Sequence, residues 1–333
     1  MIQLPELVQA LLDSKAYREA PRRVELMQTQ MSFVFLAGDY VYKVKKPVNL
    51  GYLDYTTLDQ RHLYCQREVE LNQRLCPDAY VGVVPITRVG SRIRLGERGE
   101  AFEYAVKMRR LPKEGMMDVL LVRNRVSAEM VTRVAQKLVE FHQKAETNAT
   151  ISTFGDIETI RVNTEENFDQ TEKSIGRAIS QEKYERIKSY TRRFIESNAS
   201  LFRQRIAEGK IRDCHGDLHA AHVCFTNGIC IYDCIEFNDR FRYCDVASEI
   251  AFLAMDLDRY GRADLSRSFI DAYIGLSRDT EVARLLAFYK CYRAYVRGKV
   301  ESFKLDDPHI PGEEKAGALA AARKYFDLAE SYL

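Results

Sequence analysis

The chain has 333 residues, 46% of them hydrophobic, enough for one bilobal enzyme or two ordinary domains with filled cores. Its 50 basic residues nearly cancel its 48 acidic ones, leaving +2, so bulk charge argues for neither a nucleic-acid nor a membrane partner, and no apolar run approaches membrane-spanning length. Cys65, Cys76, Cys214, Cys224, Cys230, Cys234, Cys244 and Cys291 include no CxxC pair and follow no signal peptide. Free thiols in a reducing cytoplasm are therefore expected, and the five cysteines between 214 and 244 fit no standard zinc spacing.

Taken in order, Leu4 to Leu12 carries apolar residues at helical spacing, and Pro21 breaks the segment that follows. Ser32 to Leu36 and Tyr40 to Val44 flank Ala37-Gly38-Asp39, a hairpin signal. In its second strand Val41, Lys43 and Lys45 share one face, and Tyr40, Tyr42 and Val44 share the other. Those lysines either keep an edge strand soluble or reach into a site. Lys46 to Tyr55 is longer than a minimal link, and a lid over a cleft is expected there. A helix from Tyr64 to Cys76 aligns Tyr64, Glu68, Leu71 and Leu75 on one stripe, so Glu68 lies within an apolar face and needs a partner, whereas Glu70 lies about 200° round and faces solvent. Strands follow at 81–86, 91–95 and 102–108, and the chain leaves the sheet after Met108. The expected division is 1–108 and 109–333.

From residue 113 the pattern turns helical. Ser127 caps a helix in which Val131, Val134, Leu138 and Phe141 recur at spacings of three and four, ending near Ala145, with His142 beside the stripe as a core histidine. Residues 147–155 read as a polar loop, and residues 164–208 as two charged amphipathic helices. Val223 to Phe225 and Ile229 to Tyr232 form a second hairpin across Thr226-Asn227-Gly228. His215-Gly216-Asp217-Leu218-His219 precedes that hairpin and Asp233 follows it, so a tight turn brings Asp217 and Asp233 to one side of a cleft, where two carboxylates suit a metal-bound phosphate. Asp245 opens a further helix. A helix from Leu285 to Val300 gathers Lys290, Arg293 and Arg297 in a narrow arc, either a solvated face or a surface for an anionic acceptor. No internal repeat or low-complexity tract is present.

The order of a strand lysine, an inward glutamate, HGDLHAAH, a hairpin and an aspartate resembles the aminoglycoside phosphotransferase and choline kinase group, a branch of the protein-kinase-like fold, from Phe33 to about Leu257. The loop of that group reads roughly HGDLHxxN. The resemblance implies an α+β, bilobal fold with a small β-rich N-terminal lobe holding one key helix and a larger, mainly helical C-terminal lobe. It further implies ATP- or GTP-dependent transfer of a phosphoryl group to a small-molecule hydroxyl, assisted by Mg²⁺ or Mn²⁺. Carried over, Asp217 is the base and His215 braces its loop. Lys43, with Lys45 behind it, grips the α- and β-phosphates, Glu68 pairs with Lys43, and Met108 stands at the hinge that meets adenine. Asp233 holds metal. His222 falls where the group has a metal-binding asparagine, Glu236 and Asn238 approach metal or acceptor, and Asp245 braces the catalytic loop.

The motif GxxxxGK[ST] is absent, which excludes a P-loop kinase. GxGxxG is absent as well, so the nucleotide grip falls to the hairpin backbone near Met31 to Leu36. Three other readings use the same residues. HxDxHxxH, from His215, Asp217, His219 and His222, suits a metal hydrolase but leaves Lys43, Glu68 and Asp233 without a purpose. A pseudokinase that binds nucleotide without transfer is consistent with His222, and a nucleotidyl transferase would turn the nucleotide round. The acceptor is not legible.

Overall fold

The computed structural model describes residues 5–90, 92–307 and 310–333; Leu4 of the expected first helix and Ser91 of an expected strand lie outside them. The chain forms two compact units, one of residues 1–119 with 222–239, the other of 120–221 with 240–333. The sequence-based cut at 108/109 differs on two counts: the first unit runs on to residue 119, and it takes the second hairpin with it.

The first unit is built on a six-stranded antiparallel sheet. Its strands are β1 (Val24–Gln28), β2 (Ser32–Ala37), β3 (Tyr40–Lys45), β4 (Tyr80–Val89), β5 (Arg92–Leu95) and β6 (Ala101–Arg109), in the spatial order β1-β2-β3-β6-β4-β5. The β2–β3 turn pairs Ala37 with Tyr40 across Gly38, whose φ of +64° a side chain would oppose. Alternation along β3 and β6 divides the two faces. Tyr42, Val44 and Ala105 pack with Val8, Leu11 and Tyr17 from α1 (Glu6–Leu11) and the turn after it. Val106, one residue on, packs on the other face with Cys65 of α2 (Leu58–Gln73) and with Tyr80. The helix α2 starts earlier than the apolar stripe suggests, because Thr57 and Gln60 form a capping box.

The hairpin β8 (Val223–Phe225) and β9 (Ile229–Ile231) joins this unit because Cys224 and Cys230 enter the cluster around Tyr80 and Val106. Met116 bridges to Cys224, and a Cβ on Gly115 would stand 2.2 Å from the Phe225 carbonyl oxygen, so only glycine allows that approach. Cys76 and Cys230 form a disulfide, Cα to Cα 4.6 Å, where the sequence led to eight free thiols. Neither spacing nor strand alternation reports on a partner 154 residues away. Lys46 to Tyr55, expected as a lid, is a folded turn: Tyr55 N–H donates to the Val48 carbonyl at 2.9 Å, and the Tyr55 side chain is buried.

After α3 (Met117–Val122), the second unit comprises α4 (Ala128–Lys144), α5 (Ala149–Ser152), α6 (Ile157–Thr171), α7 (Gln181–Ser197), α8 (Ala199–Ala207), α9 (Asp239–Arg242), α10 (Val246–Arg259), α11 (Ala263–Ser277), α12 (Val282–Phe303) and α13 (Gly312–Glu330). A two-stranded ribbon pairs β7 (Ile211–Asp213) with β10 (Tyr243–Asp245). The expected loop at 147–155 contains α5, capped by Asn148 and anchored by buried Ile151. Residues 157–207 hold three helices rather than two, since the turn around Gly176 (φ +79°) separates α6 from α7 and Asn198 separates α7 from α8. From Val246 to Leu257 every residue of α10 is buried, the mark of a helix at the centre of a unit. Phe252 and Met255 of α10 meet α12 and α13 in one cluster, where Gly298 lets α12 approach the Phe326 ring. Among the described residues no helix is long and apolar enough to cross a membrane.

Candidate active site

In the first unit, β3 and α2 face each other across a network of buried charges. Glu68 is fully buried. One of its oxygens stands 2.9 Å from the Lys43 ammonium and the other 2.7 Å from that of Lys45. Lys43 also donates to Asp233 at 2.9 Å, and Lys45 donates to Glu236, which accepts a second bond from the Tyr55 hydroxyl at 2.6 Å. Two lysines thus meet three carboxylates. Burial alone would pull the lysines down, but Asp233 and Glu68 hold Lys43, and Glu236 and Glu68 hold Lys45, well above the usual lysine value. Burial pushes the Glu236 carboxyl up, and Lys45 and Lys43 overcome that and hold it low.

The two lysines differ in access. The Lys43 side chain is 17% exposed and that of Lys45 is 1% exposed, so of the two ammonium groups Lys43 is the one partly open to solvent. Glu236, expected near metal or acceptor, is instead 5% exposed and committed to Lys45 and Tyr55. Asn238 donates to the Tyr52 carbonyl at 3.0 Å, and Met108 lies on β6 opposite Val41 of β3 and Tyr80 of β4.

Asp233 has the left-handed backbone conformation, φ +63°, which a residue bearing a Cβ adopts at a cost of order 1–3 kcal/mol where surrounding structure enforces it. Here the enforcement is visible. Asp233 N–H donates to the Tyr80 hydroxyl at 3.2 Å and Cys234 N–H donates to the Asn72 side chain at 2.8 Å. The carboxylate so aimed is 42% exposed, and the His222 Nε2 stands 3.6 Å from its second oxygen. That separation suits two ligands of one ion, whose donor atoms lie about 3–4 Å apart at metal-oxygen or metal-nitrogen distances near 2.1 Å. The pair fits a divalent cation.

In the second unit the loop from His215 to Ala220 lies along one face of α10. Glu249 Oε1 accepts from the backbone N–H groups of His215 (2.7 Å) and Gly216 (2.8 Å), and seven residues on, Asp256 accepts from Ala220 N–H at 2.9 Å. Arg293 of α12 donates to the Gly216 carbonyl at 3.2 Å. Both polarities of one peptide segment are therefore tied down. Burial raises the Glu249 carboxyl, but the bond and charge of His142 and the loop N–H groups outweigh it and bring it down to about 2. His142 joins Glu249 at 2.8 Å and Tyr273 at 2.8 Å, so the expected core histidine has a definite task. Buried His215 accepts from Asp217 N–H at 3.3 Å, and the Asp217 side chain is 30% exposed, 3.6 Å from His219.

Asp245 does not brace this loop. It caps α10 through Ala247 N–H and pairs with buried Arg205, while the loop is held one turn on by Glu249. Nor is the basic arc of α12 a free surface. Lys290 pairs with Asp258 at 2.8 Å, Arg293 is buried under the loop, and Arg297 stands 3.8 Å from Glu301 with Asp217 acting on its charge. Glu249 and Asp256 were discoverable: each is an acid in an otherwise apolar helix, the same signal that marks Glu68.

The fold is that of the kinase-like small-molecule phosphotransferases. A choline/ethanolamine kinase family protein from Mesorhizobium loti superimposes with a TM-score of 0.53 at 12% identity, over 98% of each chain. An aminoglycoside phosphotransferase from Alicyclobacillus acidocaldarius matches at 13% identity over 99% of this chain and 96% of its own, with a TM-score of 0.49. By sequence, uncharacterized proteins of Mycobacterium tuberculosis and Mycobacterium bovis are 33% identical over 311 residues, 93% of this chain. The chain spans 60% of the length of these relatives. No protein-family model matches it.

Proposed function

We propose that the chain transfers the γ-phosphoryl group of ATP or GTP to a hydroxyl of a small molecule with the help of Mg²⁺ or Mn²⁺. The observation that carries this reading is Lys43, a partly accessible ammonium fixed between buried Glu68 and the strained, exposed Asp233. A lysine so held presents a fixed positive charge to nucleotide phosphates, and Glu68 fixes its position. Asp233, with His222, would hold the divalent ion, which supplies charge neutralisation on the transferring phosphoryl group. Met108 stands by as the hinge contact to the base.

Asp217 would orient the acceptor hydroxyl and take its proton. Its loop is suited to that work, because Glu249, Asp256 and Arg293 fix the backbone and leave the carboxylate partly exposed. His215 supports the same turn from within, through Asp217 N–H. A nucleotide-binding module without transfer is the reading that His222 favours, since an imidazole stands where the resembled group has an amide ligand.

Thermal melting with nucleotide and metal tests the proposal. A ligand at 100 times its Kd stabilises the folded state by about 2.7 kcal/mol. The melting temperature should climb with ATP and divalent metal, and Asp233→Ala should remove the metal-dependent part. No shift at millimolar ATP and metal would sink the nucleotide reading. Stabilisation without transfer of labelled phosphate to any pool of hydroxyl compounds would favour the binding module.

A further inference from the structure

The buried network of the first unit holds two lysines where the proposed phosphate grip uses one. Lys43 and Lys45 stand two apart on β3, on one face, and both reach Glu68. Their contacts with it are unequal. Lys45 donates a hydrogen bond to Glu68 Oε2 at 2.7 Å. Lys43 stands 2.9 Å from Glu68 Oε1, yet among the described residues that oxygen accepts no hydrogen bond, and Lys43 aims its donor at Asp233, also at 2.9 Å. Charge alone therefore joins Lys43 to Glu68, whereas Lys45 is joined to it by charge and by a directed bond.

Lys45 is wholly committed to this place. Its side chain is 1% exposed, and its other acceptors are Glu236 and the Tyr55 hydroxyl at 3.4 Å, with the Tyr55 ring centre 4.8 Å from the ammonium. The Tyr55 hydroxyl donates to Glu236 at 2.6 Å, and the Tyr55 carbonyl accepts from Arg61 at 2.9 Å, so the group that fixes Lys45 is itself fixed. Glu68, Glu236 and Tyr55 are all buried.

Apolar side chains of similar size often stabilise such a place as well as a buried ion pair does, because desolvation offsets the attraction. Stability alone therefore does not account for the second ammonium. What it supplies is a partner that stays. A phosphate that draws Lys43 away takes with it the charge facing Glu68 Oε1. With Lys43 as its only cation, the fully buried carboxylate would be left uncompensated at that moment and would hold Lys43 back. Lys45 keeps Glu68 compensated, so Lys43 can turn.

We propose that Lys45, fixed by Glu236 and Tyr55, is a positioning residue: it is the standing partner of Glu68 and thereby leaves the Lys43 ammonium free to bind nucleotide phosphates. The part played by Lys43 rests on the phosphotransferase reading, whereas the seating of Glu68 by Lys45 does not.

Replacing the supporting groups without changing net charge tests this. Lys45→Met, Tyr55→Phe and Glu236→Leu together remove one ammonium, one carboxylate and the hydroxyl that touches both, and leave Glu68 with Lys43 alone. Lys45→Met with Glu236→Gln is the milder form, in which the amide still accepts from Tyr55. Parent and variants are titrated by calorimetry without metal, using ATP or GTP, whichever the parent binds more tightly, and the corresponding nucleoside. The ratio of the two affinities isolates the phosphates, because a general loosening of the unit weakens both ligands alike. That ratio should fall by about tenfold or more in both variants, with nucleoside affinity within about threefold of the parent. A ratio equal to the parent's, or equal losses for nucleotide and nucleoside, overturns the positioning role, as does failure of both variants to fold. The seating is read separately, from melting of the ligand-free chain: Glu68→Gln should couple more strongly to Lys45→Met than to Lys43→Met. Equal or reversed coupling overturns it. A parent that binds neither nucleotide, with that order of coupling intact, removes the phosphotransferase reading and leaves Lys45 as the standing partner of Glu68.

Discussion

The two units position their functional groups by opposite means. In the first, Lys43, Lys45, Glu68, Glu236 and Asp233 hold one another by charge, so each group's place depends on the ionisation of its neighbours. In the second, the loop of Asp217 is fixed through its peptide groups, by Glu249 and Asp256 from one helix and Arg293 from another. A charge network can exchange partners when a charged ligand enters, because Lys43 can leave Asp233 and keep Glu68. A peptide clamp has no such freedom. The difference matches what the proposed reaction asks of each unit: exchange of nucleotide and metal in the first, a fixed aim for the base in the second.

The largest effect should come where the clamp presents the half-buried carboxylate of Asp217. Asp217→Asn keeps the backbone contacts of the loop and removes the proton acceptor together with its charge beside His219 and Arg297, so turnover should fall by about two to four orders of magnitude with ATP affinity nearly unchanged. Steady-state kinetics and nucleotide titration check this together. Parallel loss of ATP affinity would place Asp217 in the metal shell and blur the contrast between the units.

Next in size is Glu68, shared by both lysines and 1% exposed at its side chain. Glu68→Ala leaves two buried ammonium groups with fewer partners, and breaking a buried pair in this way typically costs about 3–5 kcal/mol. Urea unfolding should report a loss of that order. A loss below about 1 kcal/mol would mean that Asp233 and Glu236 suffice and that the network is not cooperative.

Glu249→Gln tests the clamp on the same scale. The amide keeps the shape but loses the charge that accepts two loop N–H bonds and the His142 bond, for an expected cost of about 1.5–3 kcal/mol at neutral pH. The sign of its pH dependence follows from the lowered carboxyl. With a folded value of about 2 against an ordinary 4.5, the stabilisation is complete above 4.5 and disappears as pH falls from 4.5 towards 2. Acid titration of stability should therefore be shallower in the variant across that window. Identical acid limbs would show that Glu249 carries no charge-dependent share of the loop's anchoring.

The first unit was the more legible of the two, and for a physical reason. Glu68 stands out as an acid within an apolar stripe, and strand alternation sets Lys43 and Lys45 on one face, so their meeting follows from local periodicity. The hairpin at 223–231 was visible from its turn. Partners far apart in sequence were not: Glu236 on Lys45, Tyr55 beneath it and Cys76 on Cys230 are tertiary choices that no spacing encodes. In the second unit the resemblance assigned Asp245 the bracing role, yet an acid that opens a helix serves the helix's own N–H groups first. Glu249, one turn deeper, has no such local duty and is free to serve the loop.

The smallest expected effect concerns the edge of the charge network, where His222 stands 3.6 Å from Asp233. Mg²⁺ prefers oxygen ligands and an octahedral shell, whereas an imidazole nitrogen suits Mn²⁺ and later divalent ions better. Asp233 with His222 should thus favour Mn²⁺ over Mg²⁺, and His222→Asn should move the preference back towards Mg²⁺ by roughly one order of magnitude, about 1.4 kcal/mol. Metal titrations of the ATP-dependent melting shift measure both affinities in one preparation. The variant also loses a cation-capable ring beside Asp233, so nucleotide affinity without metal should hardly move, because Lys43 and Glu68 remain. If the metal preference is the same in parent and variant, His222 is not a ligand. Asp233 would then hold the ion from this unit without the imidazole, and the exchange of Lys43 between Asp233 and the phosphates would be the whole of the unit's response to ligand.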